Sequence, residues 1–141
     1  MGTMSVEVPE IDQLLAMTSP ARYGDELPDE GSRGGALHLS SVLPAISSAI
    51  GHPIPTAIHA DPKRLEALGL PDARSAVVVL VDGLGYWNIN MRLGHSPYLR
   101  SLMADGVNQR PIATCMPSTT VAAMSTFGTG TCPGLTGMTG Y

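Results

Sequence analysis

Two segments of the chain carry side chains whose types and positions suit phosphoryl chemistry. Asp82 directly follows an apolar run at residues 76–81, and a carboxylate at the end of a strand could hold a metal ion. Residues 117–120 read Pro-Ser-Thr-Thr and precede a segment of helical character. A hydroxyl there would meet the positive end of a helix dipole and could act as a nucleophile once its proton is removed. Each feature taken alone also fits a structural role, as a turn aspartate or a helix cap.

The elements that must position these side chains suggest an α/β fold. Residues 76–81 form a continuous, largely β-branched apolar run, which is typical of a strand buried on both faces of a parallel sheet. A helix is predicted from Ser96-Pro97 to about Asp105, a second strand near residues 111–115, and a small-residue helix over residues 120–127. Strand, helix and strand make a right-handed βαβ unit. We therefore predict an incomplete, mainly parallel sheet with flanking helices.

Two further helices are predicted before the first strand. Apolar residues recur at helical spacing over residues 39–50, with Ser40 or Ser41 as the cap and Gly51 as the stop. A shorter helix is predicted over residues 62–68, with an aspartate before it and a proline at its first position.

The composition of the chain and the positions of its turn residues indicate how the domain is organised. Residues 1–35 mix short apolar stretches with turn residues and are predicted to be poorly ordered, whereas residues 36–141 carry the domain. Residues 128–140 are predicted to be a loop because they are rich in glycine. The 141 residues are 43% hydrophobic and 14% charged, which favours a globular domain over a disordered chain.

Net charge, targeting signals and cysteine content indicate which partners, location and thiol state to expect. Eight basic and twelve acidic side chains give a net charge of -4, so no nucleic-acid partner is expected. The sequence shows no secretory signal and no membrane span, which makes the cytoplasm the expected location. Cys115 and Cys132 are expected to be free thiols, since disulfides are rare there.

In their order and spacing, these segments resemble the alkaline phosphatase superfamily and, within it, the nucleotide pyrophosphatase and phosphodiesterase branch. Residues 79–85 (Val-Leu-Val-Asp-Gly-Leu-Gly) are similar to the family's opening strand and metal aspartate, and residues 96–99 to the helix that follows. Residues 116–120 resemble its nucleophile segment, and residues 128–137 the glycine-rich turn after it. The resemblance spans about residues 39–141.

The resemblance implies a hydrolase of small-molecule phosphate esters or diesters. By this resemblance Thr120 is the nucleophile, with Thr119 as the neighbouring alternative. The resemblance also implies that Asp82 binds one of two divalent metal ions, for which zinc is the first candidate. The alternatives within this resemblance are a phosphomutase-like and a sulfatase-like member; a sulfatase would need Cys or Ser at the nucleophile position, which Thr120 argues against.

The resemblance also implies metal ligands that this chain does not supply downstream of the nucleophile, because no Asp, Glu or His follows Asp105. The four histidines lack the paired spacing of metal sites and are predicted to be surface or loop residues: His38, His52, His59 and His95. We therefore expect the N-terminal part of a catalytic domain, inactive alone. The alternatives are a non-catalytic module that binds through an open sheet edge, and one half of a split enzyme whose partner chain carries the missing ligands.

Overall fold

The structure, a computed structural model, describes residues 38–60, 62, 68–105 and 109–140. The predicted poorly ordered segment at residues 1–35 lies outside these residues, as does most of the helix predicted over residues 62–68. The described helices are α1 (Val42–Ala49), α2 (Tyr86–Arg92), α3 (Pro97–Met103), α4 (Thr120–Thr129) and α5 (Pro133–Thr136). Short 3-10 helices precede α1 at Leu39–Ser41 and follow α2 at Leu93–His95.

The first predicted helix is confirmed, and its N-cap is one of the two predicted serines. α1 ends before Gly51, whose φ of 80° lies in the left-handed region that glycine adopts without strain. Ser41 occupies the N-cap position of α1 without a side-chain capping bond. One turn earlier, His38 caps the 3-10 helix, because its Nδ1 accepts a 3.2 Å hydrogen bond from the backbone N–H of Ser40.

The helix near Ser96 is also confirmed, with Ser96 at the N-cap and Pro97 at the first position of α3. The helix predicted over residues 120–127 is confirmed as α4, although it continues to Thr129. The loop predicted for residues 128–140 is therefore wrong in part: Gly128 stays within α4, and Pro133 starts the single turn of α5. α2 had no clear signal in the sequence, since its N-cap is a glycine without a side chain.

The apolar run at residues 76–81 belongs to no helix or strand of the structure. Its predicted burial on both faces is wrong for the described chain, since Val77 is 91% exposed and Val79 is 81% exposed. A strand buried on both faces needs neighbours on either side, and the described residues place none there. They contain one isolated parallel bridge, between His38 and Ala113, where the second strand was predicted. The parallel sheet itself stays a prediction.

The packed part of the described chain lies where the N-terminal elements meet α4. The 3-10 helix at Leu39–Ser41 and α1 both contact α4, and Ala122 and Thr126 of α4 are buried. A small apolar cluster joins Ala45, Leu68 and the partly buried Ile112.

Two smaller expectations concern the thiols and the membrane. Both cysteines are free, as predicted, with Cys115 buried and Cys132 partly buried. Among the described residues, no helix combines the length and the apolar character that crossing a membrane requires.

Candidate active site at Asp82 and Thr120

Asp82 lies in an exposed turn that joins residues 76–81 to α2. The turn depends on Gly83, whose φ of 69° a side chain would disfavour. Gly85 follows in extended conformation as the N-cap of α2. The glycines on this turn leave little side-chain bulk around Asp82, so its carboxylate is accessible to solvent and to other groups.

Thr120 is the first residue of α4, and its neighbour Thr119 is the N-cap. The Thr119 hydroxyl accepts a 3.3 Å hydrogen bond from the backbone N–H of Ala122, which is the standard capping contact. The Thr119 carbonyl accepts a further bond, of 2.8 Å, from the N–H of Ala123. The polar groups of Thr119 are thus used in starting the helix, and the hydroxyl of Thr120 is directed elsewhere.

The structure brings the two predicted site residues into direct contact. The Thr120 hydroxyl donates a 2.9 Å hydrogen bond to Oδ2 of Asp82, although the residues are 38 positions apart. A carboxylate at this distance orients the hydroxyl and stands where it can take up the hydroxyl proton. The first turn of α4 adds the partial positive charge of its N–H groups on the same side as the hydroxyl. The arrangement therefore suits an attack by Thr120 on an electrophile with developing negative charge.

A cavity of about 660 Å³ opens beside this pair, and Asp82 and Thr120 line it. Much of its wall is apolar, with contributions from Leu80, Ile89, Met103, Ile112, Met124 and Phe127. The polar side is fixed by hydrogen bonds, because Tyr86 Oη donates to Gln109 Oε1 at 3.0 Å and Gln109 Nε2 donates to the Met103 carbonyl at 2.6 Å. The cavity therefore offers an apolar compartment next to an acid and a hydroxyl.

The donor set at this site is too small for a metal centre. Asp82 contributes one carboxylate and Thr120 one hydroxyl, whereas protein-bound zinc takes three or four protein ligands. Within the described ranges, no group of three or more His, Cys, Asp or Glu side chains could hold a metal ion. The described residues therefore do not form the two-metal site that the resemblance implies.

The four histidines, predicted to be surface or loop residues, differ in their exposure, and His59 lies in a loop although it is buried. His52 and His95 are exposed, but His38 and His59 are buried, with exposures of 8% and 6%. Their ring nitrogens lie on either side of the Ser40 hydroxyl, at 2.9 Å from His38 and 3.0 Å from His59. A histidine before a helix start is a weak sign of a cap; nothing local to His59 pointed to its burial.

Comparison with known families bears on the C-terminal part of the chain. Residues 76–141 match the model of a family described as type I phosphodiesterase / nucleotide pyrophosphatase. This match confirms the resemblance over these residues, which include both Asp82 and Thr120. No curated protein and no solved structure matches the chain.

Proposed function

Because residues 76–141 match the type I phosphodiesterase / nucleotide pyrophosphatase family, we propose that the chain carries the nucleophile of a phosphoric diester hydrolase. Thr120 attacks phosphorus through Oγ1, and its hydroxyl proton passes to Oδ2 of Asp82, which accepts its hydrogen bond. The new bond joins Thr120 to the phosphoryl group, the bond to the leaving oxygen breaks, and water later releases the phosphoryl group from Thr120.

The hydrogen bond between Thr120 Oγ1 and Asp82 Oδ2, 2.9 Å long, is the observation that carries this proposal. A turn aspartate and a helix-cap hydroxyl have no need of each other, and the cap of α4 is already supplied by Thr119. The Thr120 hydroxyl is thus left for another task. Its position at the start of α4 supports a role in binding or attacking an anionic group.

The adjoining cavity supports a small organic phosphate as the substrate. Its volume of about 660 Å³ lies in the range of small-molecule sites, and its walls are largely apolar. We propose that the phosphoryl group lies at Asp82 and Thr120 while the organic part of an ester or diester enters the cavity. No polymeric nucleic acid is proposed, because the chain has a net charge of -4.

We propose that the site binds divalent metal ions, with zinc as the first candidate, and that this binding requires further ligands. Asp82 and Thr120 are two of the donors, and we propose that a further polypeptide segment contributes Asp and His side chains. Without that segment we expect the chain to be inactive. A location in the cytoplasm is part of the same proposal.

The test compares the chain alone with the chain fused to the segment that follows the nucleophile region in a complete family member. Hydrolysis of a chromogenic phosphodiester and zinc content are measured for both. We expect turnover only in the fusion, and Thr120→Val, which deletes only the hydroxyl function at nearly constant size, should abolish it.

Thr119→Val is the matched control, because it removes the neighbouring hydroxyl. This variant should keep its turnover in molecules that remain folded. Turnover that survives Thr120→Val, or that disappears in Thr119→Val alone, would contradict the assignment of the nucleophile.

A binding module is the second candidate, and the exposed run at residues 76–81 favours it. Val77 and Val79 are 91% and 81% exposed, and consecutive exposed apolar residues of this kind mark interaction surfaces. If the chain is a binding module, the Thr120→Val variant should bind the partner as the wild type does. If the chain is part of a hydrolase, the same variant should lose turnover. A split enzyme would show both the partner and the dependence on Thr120.

A further inference from the structure

Two histidines and a serine form a buried polar cluster outside the family match. Ser40 is fully buried, and its hydroxyl lies 2.9 Å from Nδ1 of His38 and 3.0 Å from Nε2 of His59. All three residues precede residue 76, where the family match begins. His38 and His59 belong to no motif singled out in the sequence, and the candidate active site does not use them.

The backbone of Ser40 allows one arrangement of protons in this cluster. Its N–H donates a 3.2 Å hydrogen bond to His38 Nδ1, so this nitrogen carries no proton. The Ser40 hydroxyl must then donate to the same nitrogen and accept a hydrogen bond from Nε2–H of His59. A proton added to Nδ1 of His38 would face the Ser40 N–H at close range. The full set of these hydrogen bonds therefore forms only while His38 is neutral.

The cluster joins the segment at residues 38–60 to the region around α4. Beside His38, the N–H of Leu39 donates to the Ala113 carbonyl at 2.8 Å. Beside His59, the Thr56 hydroxyl accepts a 3.2 Å bond from the His59 N–H and donates a 2.7 Å bond to the carbonyl of Gly130, just after α4. Residue 113 lies on the path to the nucleophile segment, and Gly130 lies at the opposite end of α4 from Thr120.

We propose that His38, Ser40 and His59 form an acid-released latch that holds residues 38–60 against the helix carrying Thr120. At neutral pH the latch fixes α4 from its C-terminal end. When His38 takes up a proton at Nδ1, the hydrogen bond from the Ser40 N–H is lost, the cluster is weakened and the segment is released. The release changes the packing of α4 and can be measured without turnover.

Among the described residues, few side chains could compensate a positive charge on His38. α1, α4 and α5 contain no ionisable side chain, and the described titratable or charged residues in the segments next to them are His52, Asp72, Arg74, Asp82, Arg110, Cys115 and Cys132. The two carboxylates, Asp72 and Asp82, are exposed, and Asp82 accepts the hydrogen bond of Thr120 at the other end of α4 from Gly130. Burial lowers the pKa of His38 below its ordinary value of 6.5, although a hydrogen bond to the backbone of Thr114 opposes this shift. Burial, and next the charge of His38, lowers the pKa of His59 below the same value.

The direction of the pH effect follows from these shifts. Both histidines bind protons more weakly in the folded chain than in the unfolded chain, so their contribution to stability is fully present above pH 6.5. It is lost as the pH falls from 6.5 through the lower pKa values of the folded state. Each extra proton bound on unfolding raises the unfolding constant by up to about tenfold per pH unit.

Urea unfolding between pH 7.5 and 5.0 measures this linkage in the full chain. His38→Asn places an acceptor oxygen near the position of Nδ1 and retains a good capping residue, but it does not titrate. We expect it to reduce the acid dependence of the unfolding constant by up to about tenfold per pH unit relative to the wild type. His59→Gln keeps an N–H donor for Ser40 and should act in the same direction. His52→Gln, at an exposed histidine of the same segment, should leave the dependence unchanged.

A second measurement on the wild type does not depend on the variants folding. Amide hydrogen exchange, corrected for its intrinsic pH dependence, should show the N–H groups of Leu39 and Thr56 losing protection between pH 7.5 and 5.5. The N–H of Arg100 in α3, which bonds to the Ser96 carbonyl, is the internal reference. An equal change at all three sites would overturn the latch. An acid dependence that His38→Asn leaves unchanged would overturn it as well.

Discussion

Gly130 holds α4 against the N-terminal segment, and its replacement by alanine gives a sharp test of that packing. Gly130 ends α4 with a φ of 62°, in the left-handed region. A Cβ built there would lie 2.7 Å from Cγ2 of Thr56, 3.0 Å from Cγ of Pro44 and 3.3 Å from the backbone oxygen of Ser40. Thr56 cannot turn away without giving up its 2.7 Å hydrogen bond to the Gly130 carbonyl.

Two effects add up in the Gly130→Ala variant. A left-handed conformation costs a residue with a Cβ about 1–2 kcal/mol. Overlap with packed neighbours costs about 1–3 kcal/mol more. We therefore expect a loss of roughly 2–5 kcal/mol in the free energy of unfolding, which is a large part of the stability of a typical domain.

Two other glycines separate these effects in the same assay, urea unfolding followed by circular dichroism. Gly137 has a φ of 73° but open space around the position of a Cβ, so Gly137→Ala should cost about 1–2 kcal/mol for the backbone alone. Gly128 lies inside α4 with open space, so Gly128→Ala should stabilise the chain by about 0.5–1 kcal/mol. If Gly130→Ala costs no more than Gly137→Ala, residues 38–60 do not pack on α4 as described.

Three further predictions concern the site and the thiols. Thr119→Ala should lower the free energy of unfolding by about 0.5–2 kcal/mol through loss of the α4 cap. Thr120→Val should change this free energy less, because the bond from Thr120 to Asp82 is exposed. Thermal melts in which Thr120→Val is the less stable variant would contradict the two roles. Asp82→Asn should reduce the zinc bound by the fusion protein in equilibrium dialysis, and unchanged binding would remove Asp82 from the ligands. Iodoacetamide should modify Cys132 before Cys115, which is 3% exposed, and equal rates in peptide mass spectrometry would refute the burial of Cys115.

The parts of the fold that the sequence predicted well depend on short-range signals. Ser96 with Pro97 marked the start of α3, and Gly51 marked the end of α1, because capping involves only neighbouring residues. α2 was missed because its start at Gly85 has no capping side chain. The glycines after residue 127 suggested a loop, but Gly128 is accommodated within α4, since a single glycine weakens a helix without ending it.

Long-range features were harder to predict, because they depend on which segments meet. The composition of residues 76–81 predicts a buried strand, yet burial also needs neighbouring strands, and those residues are exposed in the described chain. The burial of His59 depends on Ser40, 19 positions away, and that of His38 on the bridge to Ala113. Spacing along the sequence could exclude a simple metal motif for these histidines, but it could not reveal a polar cluster built around one serine.

The choice between Thr119 and Thr120 shows how local and long-range information combine at the site. From the residues alone, either hydroxyl could cap the helix and either could attack, and the family resemblance favoured Thr120. In the structure the Thr119 hydroxyl accepts the Ala122 N–H, while the Thr120 hydroxyl donates to Asp82. A hydroxyl that caps its own helix has a lone pair committed to the backbone, whereas one that donates to a carboxylate is aligned for losing its proton. This division of tasks supports Thr120 as the proposed nucleophile and Thr119 as the cap of α4.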